Sequence, residues 1–297
     1  MRRDDLASLR RAALEMEDST EVMASVSLPQ PTLNRRSADA RLTTVLLILS
    51  LPLLLFLLAP LTALVLRIAP EQLLAHLMQR QVAQAVSLSM ITTTVTLLFT
   101  VIVGTPVGYL LARRFRGHNA LDTLIDLPMV LPPSVAGIAL LLAFGRRGLL
   151  GAWLSDLGVE LAFTQIAVVL AQTFVAAPFY VKSAAVGFAG IDKELEHAAA
   201  LDGANRRQIF RLITLPLAAT NLLGGAVMTW ARALGEFGAT IIFAGNFPGR
   251  TQTMPLAIYI GFELDLSVAL TLSAILLAAS FLVLFIVKGL LRQRMHF

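Results

Sequence analysis

The sequence contains no cysteine, only three lysines and only four histidines. The missing cysteine excludes a disulfide framework, a thiolate nucleophile and a cysteine-ligated metal. No lysine follows a glycine, so the chain lacks the G-x4-G-K-[ST] motif and does not bind ATP through a P-loop. The histidines do not occur in H-E-x-x-H spacing, which argues against an intramembrane metalloprotease. We therefore predict no catalytic residue, no metal site and no cofactor.

Charged residues are also scarce, at 14% of a chain that is 57% hydrophobic and has a mean hydropathy of +0.76. Soluble domains carry about 25% charged residues, so a water-soluble globular protein is excluded. The net charge of +5 comes from short basic runs between apolar stretches. This pattern indicates membrane topology, so we predict contact with a lipid bilayer and none with nucleic acid.

Six apolar stretches are long enough to cross a bilayer, which takes about 20 residues in a helix. Barrel strands would be about half as long, so we predict an all-α membrane protein with about six transmembrane helices in one domain, residues 42–297. Residues 1–41 contain seven arginines and seven acidic residues, and are predicted to form a flexible cytoplasmic extension. The predicted spans are Leu42–Leu66, Val82–Ala112, Leu121–Phe144, Phe163–Gly187, Leu217–Phe243 and Leu266–Val287.

Lysines and arginines in the connections predict the orientation. With the N-terminus inside, thirteen of these residues lie on the cytoplasmic side and five on the outer side. Positive charge favours the cytoplasmic side, so both termini are predicted to be cytoplasmic. Arg146 and Arg147 are the exception, because this topology places them outside.

The connection between the fourth and fifth spans, residues 188–216, is far longer than a turn requires. Strong helix formers follow Asp192, a suitable N-cap, and Gly203 can end that helix in a left-handed conformation. A second helix is predicted over residues 204–214, and Pro216 opens the fifth span. Two short amphipathic helices joined by one glycine would suit docking on another protein. A surface hairpin without a partner explains the same composition equally well.

This connection also carries a spaced motif. His197–Ala198–Ala199, then Gly203, nine residues and Ile213–Thr214–Leu215–Pro216, resembles the EAA loop of binding-protein-dependent ABC importer permeases. The family's glutamate, six residues before the glycine, corresponds to His197, and Glu196 stands just ahead of it. In that family the loop contains the coupling helix that fits the ATP-binding subunit. The resemblance implies an ATPase-docking surface that includes Glu196, His197, Ala198, Ala199, Asp202, Gly203, Ile213 and Pro216.

Further segments are similar to molybdate permease subunits: Leu127–Pro133, Gly145–Gly148, Ala233–Thr240 and Asn246–Thr251. The resemblance implies a type I ABC importer permease in a bacterial inner membrane, which moves an oxyanion by alternating access. The implied partners are two ATP-binding subunits, an extracytoplasmic oxyanion-binding protein and a second copy of the permease. Tungstate and sulfate permeases share part of the pattern, so those anions remain alternatives. A secondary anion transporter is the alternative mechanism.

Ionisable residues inside the spans are candidates for the substrate pathway. Arg232 and Glu236 lie four residues apart in the fifth span and share a helix face, facing a bundle interior or an aqueous cavity. They either line the anion path or pair with each other and fix the packing. Lys182 is expected to extend toward the cytosolic end of its span. Small residues predict close packing of the fifth span, most simply against a second copy: Gly224, Gly225, Gly235 and Gly238.

Prolines predict a break in the third span, where Pro128, Pro132 and Pro133 each remove a backbone donor. A half-helix that begins at the break would direct free amides at an anion, which makes Ser134 and Val135 candidate pathway residues. A kink needed only for packing or hinge motion is the alternative.

Overall fold

The computed structural model describes residues 34–67, 75–76, 78–113 and 115–294. Within these ranges every regular element is a helix. Five of the described helices are long and apolar enough to cross a membrane, and one bent pair supplies a sixth crossing if it counts as a single span. The prediction of an all-α membrane protein with about six spans is confirmed.

The helices of the described ranges are α1 (Asn34–Leu66), α2 (Arg80–Leu111), α3 (His118–Val130), α4 (Pro133–Phe144), α5 (Gly151–Asp156), α6 (Gln165–Ala189), α7 (Lys193–Leu201), α8 (Arg206–Ile209), α9 (Leu215–Leu234), α10 (Gly238–Phe243), α11 (Met254–Leu264) and α12 (Leu266–Arg294). A π-helical turn at Phe210–Thr214 connects α8 to α9.

Helix α1 contains the first predicted span. The chain divides after Thr62 into two units, and α1, which extends across that division, is described by itself. Its apolar stretch Thr43–Leu66 is long enough to cross a membrane, and it contains Pro52 and Pro60. The helix begins at Asn34, within the predicted extension, whereas residues 1–33 of that extension lie outside the described residues.

The third span is broken between α3 and α4, whose axes differ in direction by 116°. Leu131 and Pro132 adopt extended conformations, with ψ of 135° and 134°. A residue that precedes proline is disfavoured in the helical region, so two consecutive prolines end α3 here. Pro133 then occupies the first turn of α4, where its missing N–H leaves no hydrogen bond unmade. The predicted break is confirmed.

The predicted outer end of the fifth span, Phe243, is wrong, because α9 ends at Leu234. Gly235 has ψ of 6° and Phe237 has φ of −126°, so the chain leaves the helical conformation. The carboxylate of Glu236 then accepts a hydrogen bond from the backbone amide of Ala239 at 2.8 Å, at the start of α10. A side chain that accepts from a nearby backbone amide competes with helix continuation, and hydropathy alone does not reveal this.

Helix α6 packs against both α2 and α9, and small residues set the spacing. A Cβ added to Gly108 on α2 would lie 2.6 Å from the Cβ of Ala184, and one added to Gly225 on α9 would lie 2.6 Å from the Cβ of Ser183. Gly225 therefore serves contact within the chain, so the predicted contact with a second copy is wrong for this residue. Helices α4 and α10 pack side by side against the N-terminal half of α6, where they share a buried apolar cluster.

Candidate coupling surface and substrate pathway

The predicted docking loop folds as a helical hairpin, residues 193–209, which we call the coupling hairpin. Asp192 caps α7 by accepting a hydrogen bond from the amide of Glu194 at 2.9 Å. Gly203 ends it with φ of +89°, a left-handed conformation that favours glycine. Asn205 and Gln208 form a reciprocal capping box, so α8 begins at Arg206, two residues after the predicted start. The predicted cap and glycine stop are confirmed.

The predicted docking residues lie on this hairpin and on the turn that follows it. Five are exposed: His197, Ala198, Asp202, Gly203 and Pro216. Three are half-buried: Glu196, Ala199 and Ile213. Ile213 belongs to the π turn and Pro216 to the first turn of α9, so these two lie beside the hairpin at the base of a span.

Three exposed leucines extend the candidate docking surface beyond the motif. Leu195 is 49% exposed, Leu201 is 88% exposed and Leu212 is 69% exposed. Burial of a leucine side chain is worth about 1.5–3 kcal/mol, so a partner surface that covered these residues would gain free energy. The signal in the sequence is that each of these leucines adjoins a charged residue, at Glu194, Asp202 or Arg211. The motif did not reveal them because its spacing rests on the alanines and the glycine.

The carboxylate of Glu196 is bound within the chain. Its Oε1 accepts a hydrogen bond from the hydroxyl of Thr214 at 2.8 Å, and its Oε2 lies 3.5 Å from Nη2 of Arg113 at the end of α2. The side chain is only 21% exposed. The predicted docking set therefore contains one residue that faces inward.

The candidates at the break of the third span lie in the first turn of α4. Ser134 and Val135 are both exposed. The start of α10 packs against this turn, since a Cβ on Gly238 would lie 2.6 Å from the Cβ of Pro133. Gly238 therefore serves a contact within the chain, which accounts for the small residue at this position without a second copy. No comparable approach by another helix is seen at Gly224 or Gly235.

Arg232 and Glu236 form an ion pair, with 3.0 Å between Nη1 and Oε2. Glu236 is 1% exposed, whereas Arg232 is 32% exposed. Because the second carboxylate oxygen bonds to Ala239 at the start of α10, the pair links the end of α9 to α10. This geometry favours the packing interpretation of the pair. It also leaves the Arg232 side chain partly exposed at the end of α9, just before the segment that leads to α10.

Lys182 forms two ion pairs, which its expected extension toward the end of its span did not include. Its Nζ lies 2.6 Å from Oδ1 of Asp122 and 2.8 Å from Oδ2 of Asp126. The two aspartates are four residues apart and therefore share one face of α3. The cluster fastens α6 to the helix that precedes the break. Sequence reasoning missed it because nothing local connects residues some 60 positions apart.

In the part of the chain that the structure describes, no group of three or more His, Asp and Glu side chains could hold a metal ion.

The comparisons agree with this architecture. Residues 104–297 match the family of binding-protein-dependent transport system inner membrane components. The molybdenum transport system permease protein ModB of Mycobacterium tuberculosis is 42% identical over 231 residues, which cover 77% of this chain and 87% of ModB. The sulfate transport system permease protein CysT of Escherichia coli is 34% identical and covers 80% of this chain and 87% of its own length.

Among solved structures, the chain is similar to a chain of the bacterial alginate ABC transporter in complex with an alginate pentasaccharide-bound periplasmic protein. The TM-score is 0.67 and the identity 16%, with 89% of this chain and 98% of that chain covered. This likeness confirms the predicted fold of an ABC importer permease. Given the family match and the extent of identity to the relatives, the chain belongs to the binding-protein-dependent transport system inner membrane components.

Proposed function

We propose that the chain is the translocation subunit of an ATP-driven importer for molybdate. Family membership and the 42% identity to ModB support this proposal. The observation that carries it is the coupling hairpin, a capped pair of helices with exposed leucines, joined to a span through Pro216. Such a surface suits a partner protein, and this chain has no P-loop of its own. ATP hydrolysis is therefore assigned to two partner subunits that dock on the hairpin.

Movement of the hairpin would open the pathway to alternate sides of the membrane. ATP can shift the permease between conformations only if docking favours one of them over the other. The breaks at Leu131–Pro132 and at Gly235–Phe237 supply candidate hinges, because α4 and α10 start there and pack together. Ser134, Val135 and the open part of Arg232 would meet the anion, and Glu236 would hold Arg232 in place.

The outer side would receive the anion from an extracytoplasmic binding protein. The segment Asn246–Asp265 is the proposed contact. The tip of its loop, Phe247–Arg250, is exposed, whereas Thr251–Thr253 are buried, so the tip projects from an anchored base. A second copy of the permease would complete the pathway. The N-terminus and C-terminus are assigned to the cytoplasm, on the same side as the hairpin.

The test is reconstitution with the partner ATPase and the binding protein. Binding protein loaded with molybdate should stimulate ATP hydrolysis and anion uptake. Loading with tungstate or sulfate tests the substrate, and the 34% identity to CysT makes sulfate the anion to compare. Uptake that needs no ATPase and follows an ion gradient would instead support a secondary transporter and contradict the proposal.

A pair of glycine variants tests the docking surface. Gly203→Val places bulk on the hairpin and should abolish uptake, while capture of the binding protein continues. Gly158→Val is the matched control, because Gly158 also has a positive φ, +75°, and an added Cβ meets no atom within 4 Å at either position. The backbone strain is therefore similar, and only the location differs. Normal uptake by Gly203→Val and by Ala199→Arg would contradict the docking role.

A further inference from the structure

Glu196 lies on the coupling hairpin, but its side chain points in a different direction from those of its neighbours. Leu195 and His197 are exposed on either side, whereas the Glu196 side chain is 21% exposed and bound at both oxygens. Successive residues of a helix differ by about 100° around its axis, so one position decides between an outward and an inward side chain. The position of the family's glutamate is occupied by the outward His197.

The first partner of Glu196 is fixed at the end of α2. Arg113 donates to the hydroxyl of Tyr109, and its guanidinium carbon lies 4.5 Å from the centre of the Tyr109 ring. That ring meets Phe188 and Phe210 edge to face, at 5.3 and 5.2 Å between centroids. Arg113 is therefore held over an aromatic cluster that joins α2, α6 and the π turn, although it is 55% exposed.

The second partner lies at the base of α9. Thr214 is the last residue of the π turn and is 1% exposed. Its hydroxyl donates to Glu196 at 2.8 Å, and the carbonyl of Ile209 lies 3.4 Å away. The carboxylate of Glu196 therefore connects α7 to two spans at once, α2 through Arg113 and α9 through Thr214.

We propose that Glu196 is a positioning residue that latches the coupling hairpin to α2 and α9, so that displacement of the hairpin reaches both spans. The proposal rests on the proposed function and adds a role for one residue of its docking loop. Helix α7 has nine residues and ends at a glycine. Without the latch it could pivot there and absorb the displacement. Glu196 then acts inside the permease and makes no contact with the ATPase.

The test compares Glu196→Ala with Glu194→Ala in the reconstituted transporter. Glu194 is an exposed carboxylate on the same helix, so its removal controls for lost charge on α7. Glu196→Ala should lower the anion transported per ATP hydrolysed by about tenfold, the factor typical of a lost hydrogen bond to a charged group. The amount of ATPase that co-purifies should stay unchanged. Glu194→Ala, which removes a charge from the exposed face of the docking hairpin, should leave the anion transported per ATP hydrolysed unchanged, whatever its effect on co-purification of the ATPase.

Two further variants separate the latch from a fold defect. Thr214→Val keeps the shape of the side chain and removes the hydroxyl, and should lower the same ratio. Added to Glu196→Ala, it should have no further effect, because Thr214 acts through Glu196. Exchange of the charges, Arg113→Glu with Glu196→Arg, should restore part of the ratio that either single change removes.

Three results would overturn the latch. One is loss of ATPase co-purification in Glu196→Ala, which would place Glu196 at the partner. Another is a transport-to-hydrolysis ratio that matches the Glu194→Ala control. The third is an additive effect of Thr214→Val and Glu196→Ala. If Glu196→Ala does not fold, Thr214→Val and the charge exchange decide the question. Failure of the unaltered chain to bind an ATPase would instead contradict the proposed function.

Discussion

Replacement of Glu236 tests whether the Arg232–Glu236 pair holds the fold or acts on the anion. Glu236→Ala removes the ion pair and the acceptor of the Ala239 amide, which are 3.0 and 2.8 Å contacts of a side chain that is 1% exposed. A buried amide left without an acceptor costs about 1–3 kcal/mol. Breaking a buried ion pair costs about 3–5 kcal/mol. Since Arg232 is 32% exposed, water solvates part of its charge and lowers the cost of the lost ion pair to about 1 kcal/mol. Together with about 2 kcal/mol for the amide without an acceptor, the expected destabilisation is about 3 kcal/mol.

Glu236→Gln provides the second arm of this test. Its amide oxygen can still accept the Ala239 hydrogen bond, so only the partly screened ion pair is lost, at about 1 kcal/mol. We measure the apparent unfolding temperature of the purified protein together with anion uptake. The unfolding temperature should fall slightly in Glu236→Gln and further in Glu236→Ala. Asp156→Ala, which removes an exposed carboxylate at the end of α5, is the control and should leave both unchanged.

The reasoning is refuted if Glu236→Gln unfolds at the temperature of the unaltered chain and yet loses uptake. That combination would show that the negative charge acts on the anion or its path. A double variant, Arg232→Met with Glu236→Ala, adds an independent check. It should be less destabilised than the sum of its two single variants, because neither charge is then left without its partner.

Three other variants follow from the packing and the termini. Lys182→Met leaves two aspartates of α3 without their cation and should destabilise the protein by about 1–2 kcal/mol. Asp122→Asn should destabilise it less, because that variant keeps one ion pair. An equal fall in unfolding temperature for the two variants would contradict this. Gly108→Val should lower the free energy of unfolding by about 1–3 kcal/mol, because the added side chain overpacks against α6. The same melting curves measure this change. An unchanged curve would show that α2 can move aside. Hydrogen bonds from Ser267 hold the pKa of Asp265 below its usual range, so the cap on α12 is complete at neutral pH and is lost only as the pH falls through that lowered pKa. The protection of amides in the first turn of α12, taken relative to their intrinsic exchange rate at each pH, should therefore fall in acid. In Asp265→Asn this protection should not change with pH.

Local chemistry and apolar length predicted most of the architecture. The second span was predicted at Val82–Ala112 and is observed at Arg80–Leu111, because the bilayer sets the length of an apolar helix. Asp192 and Gly203 were predicted as the limits of α7, because caps and left-handed stops depend on neighbouring residues. The family motif located the coupling hairpin for the same reason, since its spacing is continuous in the chain.

Partners that are distant in the sequence could not be predicted in this way. Lys182 was expected to reach toward the cytosol, and its pairing with α3 depends on how two helices pack. Glu196 was assigned to the docking surface with its neighbours, and its inward contacts depend on the position of Arg113 and of the π turn. The end of α9 was missed because it depends on a hydrogen bond to the side chain of Glu236, and a hydropathy profile carries no information on hydrogen bonds.

The π turn at Phe210–Thr214 has a geometric consequence for the coupling hairpin. A π-helical turn holds about one residue more than an α-helical turn, and each helical residue rotates the chain by about 100°. That additional residue therefore sets the direction, around the axis of α9, in which the hairpin projects. Loss of one residue between positions 210 and 214 would preserve both adjoining helices and still turn the exposed leucines toward a different quadrant around the span.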